Sequence, residues 1–110
     1  MVKFIFITAF IILQSVAMAA QSTTHSVSGE KRLANIKQLT FGGENAEAYF
    51  SSDGKQLVFQ SKRDGRGCDQ IYTMNADGSN TKMVSNGEGR TTCSYFFNKN
   101  KNILYGSTHL

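Results

Sequence analysis

Apolar positions along residues 33–110 fall in short runs of up to three, cut by clusters of Gly, Asp, Asn and Ser. That is the pattern of strands joined by turns rather than of amphipathic helices. Leu33 to Thr40 (LANIKQLT) alternates loosely through Leu33, Ile36 and Leu39 and is expected as a strand, ended by the breaker cluster Phe41 to Asn45. Ala46 to Phe50 reads as a short strand, stopped by Ser51-Ser52-Asp53-Gly54. The Asp53-Gly54 pair predicts a tight type I′ hairpin turn, which needs positive φ at both central residues. Gln56 to Ser61 follows as a strand whose contiguous Leu57, Val58 and Phe59 suit burial on both faces. Lys62 to Asp69 is a loop, Gln70 to Met74 a third strand, Asn75 to Asn80 a turn and Thr81 to Val84 a fourth strand. Gly87 and Gly89 break the chain before a new strand begins at Thr91.

The elements repeat. YFSSDGKQLVFQS (Tyr49 to Ser61) returns 46 residues later as YFFNKNKNILYGS (Tyr95 to Ser107), and IKQLT (Ile36 to Thr40) returns as TKMVS (Thr81 to Ser85) at an offset of 45. A period in the mid-forties built of short strands is the signature of a β-propeller blade. The fold expected is therefore all-β: a partial β-propeller of about one and a half four-stranded antiparallel blades. One blade spans about 46–85, and a second begins at about 91. Ile36 to Thr40 matches the fourth strand of a blade, so the chain enters one strand before its first full blade. Both points lead to the expectation of an N-terminal fragment of a longer propeller. Such a fragment is expected to self-associate, because Tyr95, Phe96, Phe97, Ile103, Leu104 and Tyr105 have no neighbour to cover them.

Residues 1–19 carry an export address. Lys3 is a short basic start, Phe4 to Leu13 is apolar apart from Thr8, and Ala17-Met18-Ala19 offers small residues for cleavage after Ala19 or Ala20. The apolar run is well short of the ~20 residues that span a bilayer, so no stable membrane span is expected once the signal is removed. Residues 20–32 form a flexible polar lead-in, and His25 within it has no assigned role. The expected location is periplasmic or extracellular.

At SSDGKQLVFQSKRDG (Ser51 to Gly65) and DQIYTMNADGSN (Asp69 to Asn80) the chain resembles the WD-like β-propeller repeat of the TolB family. That family's pattern runs S-P-D-G-K, a hydrophobic strand ending Phe-x-Ser, R-D-G, then I-Y-x-M-N-x-D-G. Ser52 departs from the usual Pro. In the second copy Lys99-Asn100 replaces Asp-Gly, though Asn100 tolerates the left-handed region and preserves the turn. The resemblance implies a propeller scaffold. It also admits the alternative of an N-terminal propeller from a secreted prolyl-oligopeptidase-type serine peptidase, whose catalytic domain is not in this sequence.

Candidate chemistry is sparse. His25 and His109 form no nucleophilic set with Ser, Asp or Cys, so no enzymatic activity and no cofactor are expected. Asp53-Gly54, Asp64-Gly65 and Asp77-Gly78 are read as structural turns. Asn75-x-Asp77-Gly78 imitates part of a calcium loop but puts Val84 where a bidentate Glu is needed, so no metal is expected. The formal net charge of +4 drops by one when Lys3 leaves. Lys62, Arg63 and Arg66 read as a solvated basic loop, not a nucleic-acid surface. Two cysteines in an exported chain invite pairing, and Cys68–Cys93 is a candidate bridge between neighbouring blades, with pairing further downstream the alternative. The function these features support is a non-enzymatic scaffold binding a protein or cell-envelope partner.

Overall fold

The computed structural model describes residues 24–25 and 28–109, and every regular element in them is a strand. The signal segment and most of residues 20–27 lie outside the described residues. No described helix is long and apolar enough to cross a membrane. The strands are β1 (Thr24–His25), β2 (Ile36–Lys37), β3 (Glu44–Phe50), β4 (Gln56–Lys62), β5 (Gln70–Asn75), β6 (Lys82–Met83), β7 (Thr91–Phe97) and β8 (Asn102–Ser107). They form three antiparallel sheets: β1-β2, β3-β4-β5-β6 and β7-β8. The strand expected over Leu33 to Thr40 is only Ile36–Lys37. Past it the chain is held by packing, not by a ladder, as Leu39 settles on the core.

The 46-residue repeat is a repeat of geometry. In the first unit Tyr49 faces Val58, Phe50 faces Leu57 and Ala46 faces Gln60 across β3/β4. In the second, Tyr95 faces Leu104, Phe96 faces Ile103 and Thr92 faces Gly106 across β7/β8. Both ladders slip at the same place, between Ala46 and Tyr49 and between Thr92 and Tyr95. The slip is a β-bulge, in which one extra residue bends its strand. In each unit it contains a non-glycine residue in the left-handed region, Glu47 (φ 54°) and Cys93 (φ 50°).

β4 is buried on both faces, as its contiguous apolar run predicts: Leu57, Val58 and Phe59 are at most 5% exposed. Alternation sorts the first sheet into two faces. On the leading face Leu57, Phe59, Tyr72 and Met74 form the core, with Leu39 and Met83 packed against it. Val58, Ile71 and Thr73 are buried on the trailing face, where β4 and β5 meet β7 of the second unit.

That interface is held largely by polar groups. Gln60 Oε1 accepts from Thr92 Oγ1 at 2.7 Å and from the bulged Cys93 amide at 3.1 Å. Asn100 Oδ1 accepts from the Ser52 amide and hydroxyl at 2.9 and 3.0 Å. The Thr91 amide donates to the Asp69 carbonyl at 3.0 Å. The rings of Tyr49 and Tyr95, equivalent residues of the repeat, meet at 4.4 Å between centroids where the edge strands β3 and β7 run together. The second unit is thus half covered: Phe96, Ile103 and Tyr105 are half-buried, while Tyr95, Phe97 and Leu104 remain exposed. Of the six, Phe97 and Leu104 are the most exposed, while Tyr95, though exposed, meets the Tyr49 ring.

Candidate binding surface

The turn residues sit where the sequence puts them, with one change of type. At Asp53-Gly54 positive φ falls on Gly54 alone, because the loop runs through Ser51–Lys55 and closes through Gly54 N–H to Ser51 O at 2.9 Å. Asp53 Oδ1 accepts from Ser51 Oγ (2.7 Å) and the Lys55 amide (3.2 Å), so its side chain does what a second left-handed residue would have done. The type I′ geometry appears instead at Asp64-Gly65, with φ of 57° and 73° and Arg66 N–H donating to Arg63 O. It appears again at Lys99-Asn100, with φ of 53° and 65°. Asp77-Gly78 repeats the first pattern: Gly78 alone is left-handed, and Asp77 Oδ1 accepts from the Ser79 amide and hydroxyl.

Those contacts set the acid response. The Ser51 hydroxyl and the Lys55 amide hold the Asp53 carboxyl below its ordinary value, and the two Ser79 donors do the same for Asp77. A carboxyl whose folded pKa is depressed contributes stability above its unfolded pKa and loses it as pH falls through the folded value. Thermal midpoints are therefore expected to decline below about pH 4. Asp53→Asn/Asp77→Asn should give a lower midpoint at neutral pH and a flatter acid limb. An acid limb unchanged by both substitutions would show that the turns do not titrate with folding.

Structure also ranks the turn glycines. A Cβ on Gly54 meets nothing within 4 Å, whereas on Gly78 it meets the Leu39 carbonyl oxygen at 3.1 Å. Gly78→Val is expected to destabilise by about 2–3 kcal/mol, combining left-handed strain with the clash, and Gly54→Val by about 1–2 from strain alone. Urea denaturation of both variants checks the order.

Arg63 departs most from its expected role. It is not a solvated loop residue. Its Nε donates to Ser61 Oγ (3.0 Å), and Nη2 donates to the Gly42 carbonyl and Asn45 Oδ1 (both 3.0 Å). The guanidinium lies 5.5 Å from the Phe59 ring and 5.3 Å from the Tyr72 ring. Ser61 Oγ donates in turn to Asn45 Oδ1, and Asn45 Nδ2 donates to the Gly42 and Gly43 carbonyls. Next to it, the Tyr72 hydroxyl donates to Asp64 Oδ2 at 3.1 Å. Burial, and then the Asp64 carboxylate, raise the Tyr72 phenol above its ordinary value. Gly43 (φ 77°) lets the backbone pass here, for a Cβ would stand 2.9 Å from that of Arg63. The R-D-G string was legible as a turn, but no periodicity signals that its Arg folds back over two aromatic rings.

Beside Arg63 lies an open groove of about 490 Å³ bordered by Leu39 to Gly43, Arg63, Asp64, Gly78 and Thr81. A smaller, more apolar recess of about 250 Å³ lies over Leu57, Phe59 and Met74. At the other end, the Tyr49 hydroxyl donates to Glu47 Oε2 at 2.7 Å. The Tyr95 phenol, and then Glu47, hold the Tyr49 phenol above its ordinary value. Among the described residues no three His, Cys, Asp or Glu side chains gather where a metal ion would sit. Cys68 and Cys93 are both free, Cys68 half-buried and Cys93 exposed on its bulge, and they are not joined to one another. Ser107 Oγ contacts His109 Nδ1 on the exposed end of β8.

No protein-family model matches this chain, and no solved structure does. What the geometry offers is a groove, an aromatic edge and an exposed apolar sheet face, all suited to non-covalent contact.

Proposed function

We propose that the chain is an exported, TolB-type β-propeller repeat protein that serves as a non-enzymatic binding scaffold in the periplasm or cell envelope. The observation that carries this is the geometric repeat, in which two successive units share ladder register, bulge and turn positions at a spacing of 46 residues. Units that stack through one face and repeat in register present their loops along a common end, which is where repeat proteins of this kind bind. The groove beside Arg63 is the surface assigned to the partner, a protein or envelope component. Its border carries both Arg63 and Asp64, which favours a polar ligand.

A test uses the chain expressed with its own leader in a bacterial host. The mature protein is expected in the periplasmic fraction, beginning at Ala20 or Gln21. A photoreactive residue at exposed Phe41, on the groove border, is expected to cross-link an envelope component. The same residue at exposed Lys101, in the β7/β8 turn of the second unit, none of whose residues borders the groove, should not. Retention of Met1, or equal cross-linking from both positions, would overturn the reading.

A further inference from the structure

The link between the two units runs from β6 into β7 and holds Asn86-Gly87, the one Asn-Gly pair in the sequence. Its two ends are clasped by a single buried side chain. Gln70, 1% exposed, accepts from the Ser85 hydroxyl at 2.7 Å and donates through Nε2 to the Gly89 carbonyl at 2.9 Å. The Ser85 hydroxyl itself accepts from the Ile71 amide at 3.0 Å. Between these fixed points Asn86 is exposed. Its Oδ1 accepts from the Glu88 amide at 3.0 Å, which folds the carboxamide back along the chain and polarises its carbon. The Gly87 amide donates to no described residue, and glycine has no side chain to hinder its nitrogen. Every other asparagine precedes Ile, Ala, Thr or Lys. Asn45 and Asn100 are also held by side-chain hydrogen bonds to distant parts of the fold.

We propose that Asn86-Gly87 is a self-modifying site, at which the native protein deamidates without an enzyme. The Gly87 amide nitrogen attacks Asn86 Cγ and gives its proton to water, while Nδ2 leaves as ammonia, closing a five-membered imide. Water then opens the ring at either carbonyl. One opening gives aspartate. The other gives isoaspartate, in which the backbone runs through the former side-chain carbon and is longer by one atom. The net change is amide and water to carboxylate and ammonium, with no oxidant or reductant. Both products place a negative charge beside Arg66, whose guanidinium lies against Gly87: a Cβ there would stand 3.0 Å from Nη1. No carboxylate among the described residues pairs with Arg66. Isoaspartate also lengthens a link pinned at both ends by Gln70. The Ser85 end is held by two hydrogen bonds and the Gly89 end by one, so the bond to Gly89, at the entry to β7, is the one that gives.

The test is independent of where the protein resides or what its groove binds. Purified native protein is aged in mildly alkaline buffer and mapped by peptide mass spectrometry. A gain of about 1 Da is expected at residue 86, well ahead of every other asparagine. Gly87→Ala should slow it roughly ten-fold, by crowding the attacking nitrogen. Asn86→Gln keeps an amide but needs a larger ring, and should abolish the gain with unchanged far-UV circular dichroism. The isoaspartyl fraction, separated by ion exchange, should show faster amide exchange at residues 89–92 than fresh protein, with β4 and β5 still protected. A gain at residue 86 in urea but not in the native protein would show that the folded link holds the carboxamide away from Gly87, and would overturn the proposal. So would equal rates at residue 86 and the other asparagines. Unchanged exchange at residues 89–92 would overturn the loosening of the clasp.

Discussion

Phe59→Ala is expected to destabilise the protein by about 3–5 kcal/mol, the usual range for deleting a buried aromatic side chain. Phe59 is 1% exposed on the middle strand of the first sheet, packed with Leu57, Tyr72 and Met74. Its ring lies 5.9 Å from that of Tyr72, and the Arg63 guanidinium lies over both rings. Removing it opens a cavity and takes away one of the two rings under Arg63, so the backbone around Gly42 loses its anchor as well. Small domains hold only about 5–15 kcal/mol in all. Urea denaturation should show loss of most of the cooperative transition. Phe59→Leu, which keeps more of the volume, should retain it. Equal midpoints for Phe59→Ala and wild type would mean that the core lies elsewhere.

Arg63→Ala is expected to cost about 2–4 kcal/mol, more than an exposed loop arginine could. A hydrogen bond to a charged group contributes about 1.5–3 kcal/mol. Here Gly42 O and Asn45 Oδ1 would each lose one donor and keep another, from Asn45 Nδ2 and Ser61 Oγ respectively. The cation–π contact with Phe59 and Tyr72 adds about 0.5–2 kcal/mol. These terms overlap, so the range is lower than their sum. Arg63→Lys should rescue little, because a point charge on a flexible stem cannot reach Ser61, Gly42 and Asn45 together. Amide hydrogen exchange gives the signature: protection at residues 42–46 should fall before protection in β5. Uniform loss over the whole sheet, or full rescue by Lys, would show that Arg63 acts only through its charge.

The two faces of β4 and the places of the turns were legible in the sequence, whereas β1 (Thr24–His25), paired with β2 inside the stretch expected as a flexible lead-in, was not. The legible features rest on local chemistry: alternation along a strand, a contiguous apolar run, and Asp-Gly pairs that tolerate tight turns. The 46-residue echo also carried further than similarity of letters, since equal residues at equal offsets produced equal register and an equal bulge at Glu47 and Cys93. Turn type was not legible. Ser51 and Lys55 let the Asp53 side chain close its loop, while Asp64, lacking such partners, took the left-handed region itself.

What only the tertiary structure decided lies between elements far apart in sequence. Ladder pairing at Leu33 to Thr40 is confined to Ile36–Lys37, and Leu39 packs on the core. Arg63 left solvent because Phe59, Tyr72, Ser61 and the Gly42 carbonyl converge on one point. Gln60 became the tie between units because the bulge turns the Cys93 amide outward, where no strand partner reaches it. Val58 and Leu104 hold the same place in the repeat and have the same chemistry, yet one is buried and the other open. Local sequence sets which face a side chain takes; burial depends on what stands opposite, and that is a property of the assembled sheets.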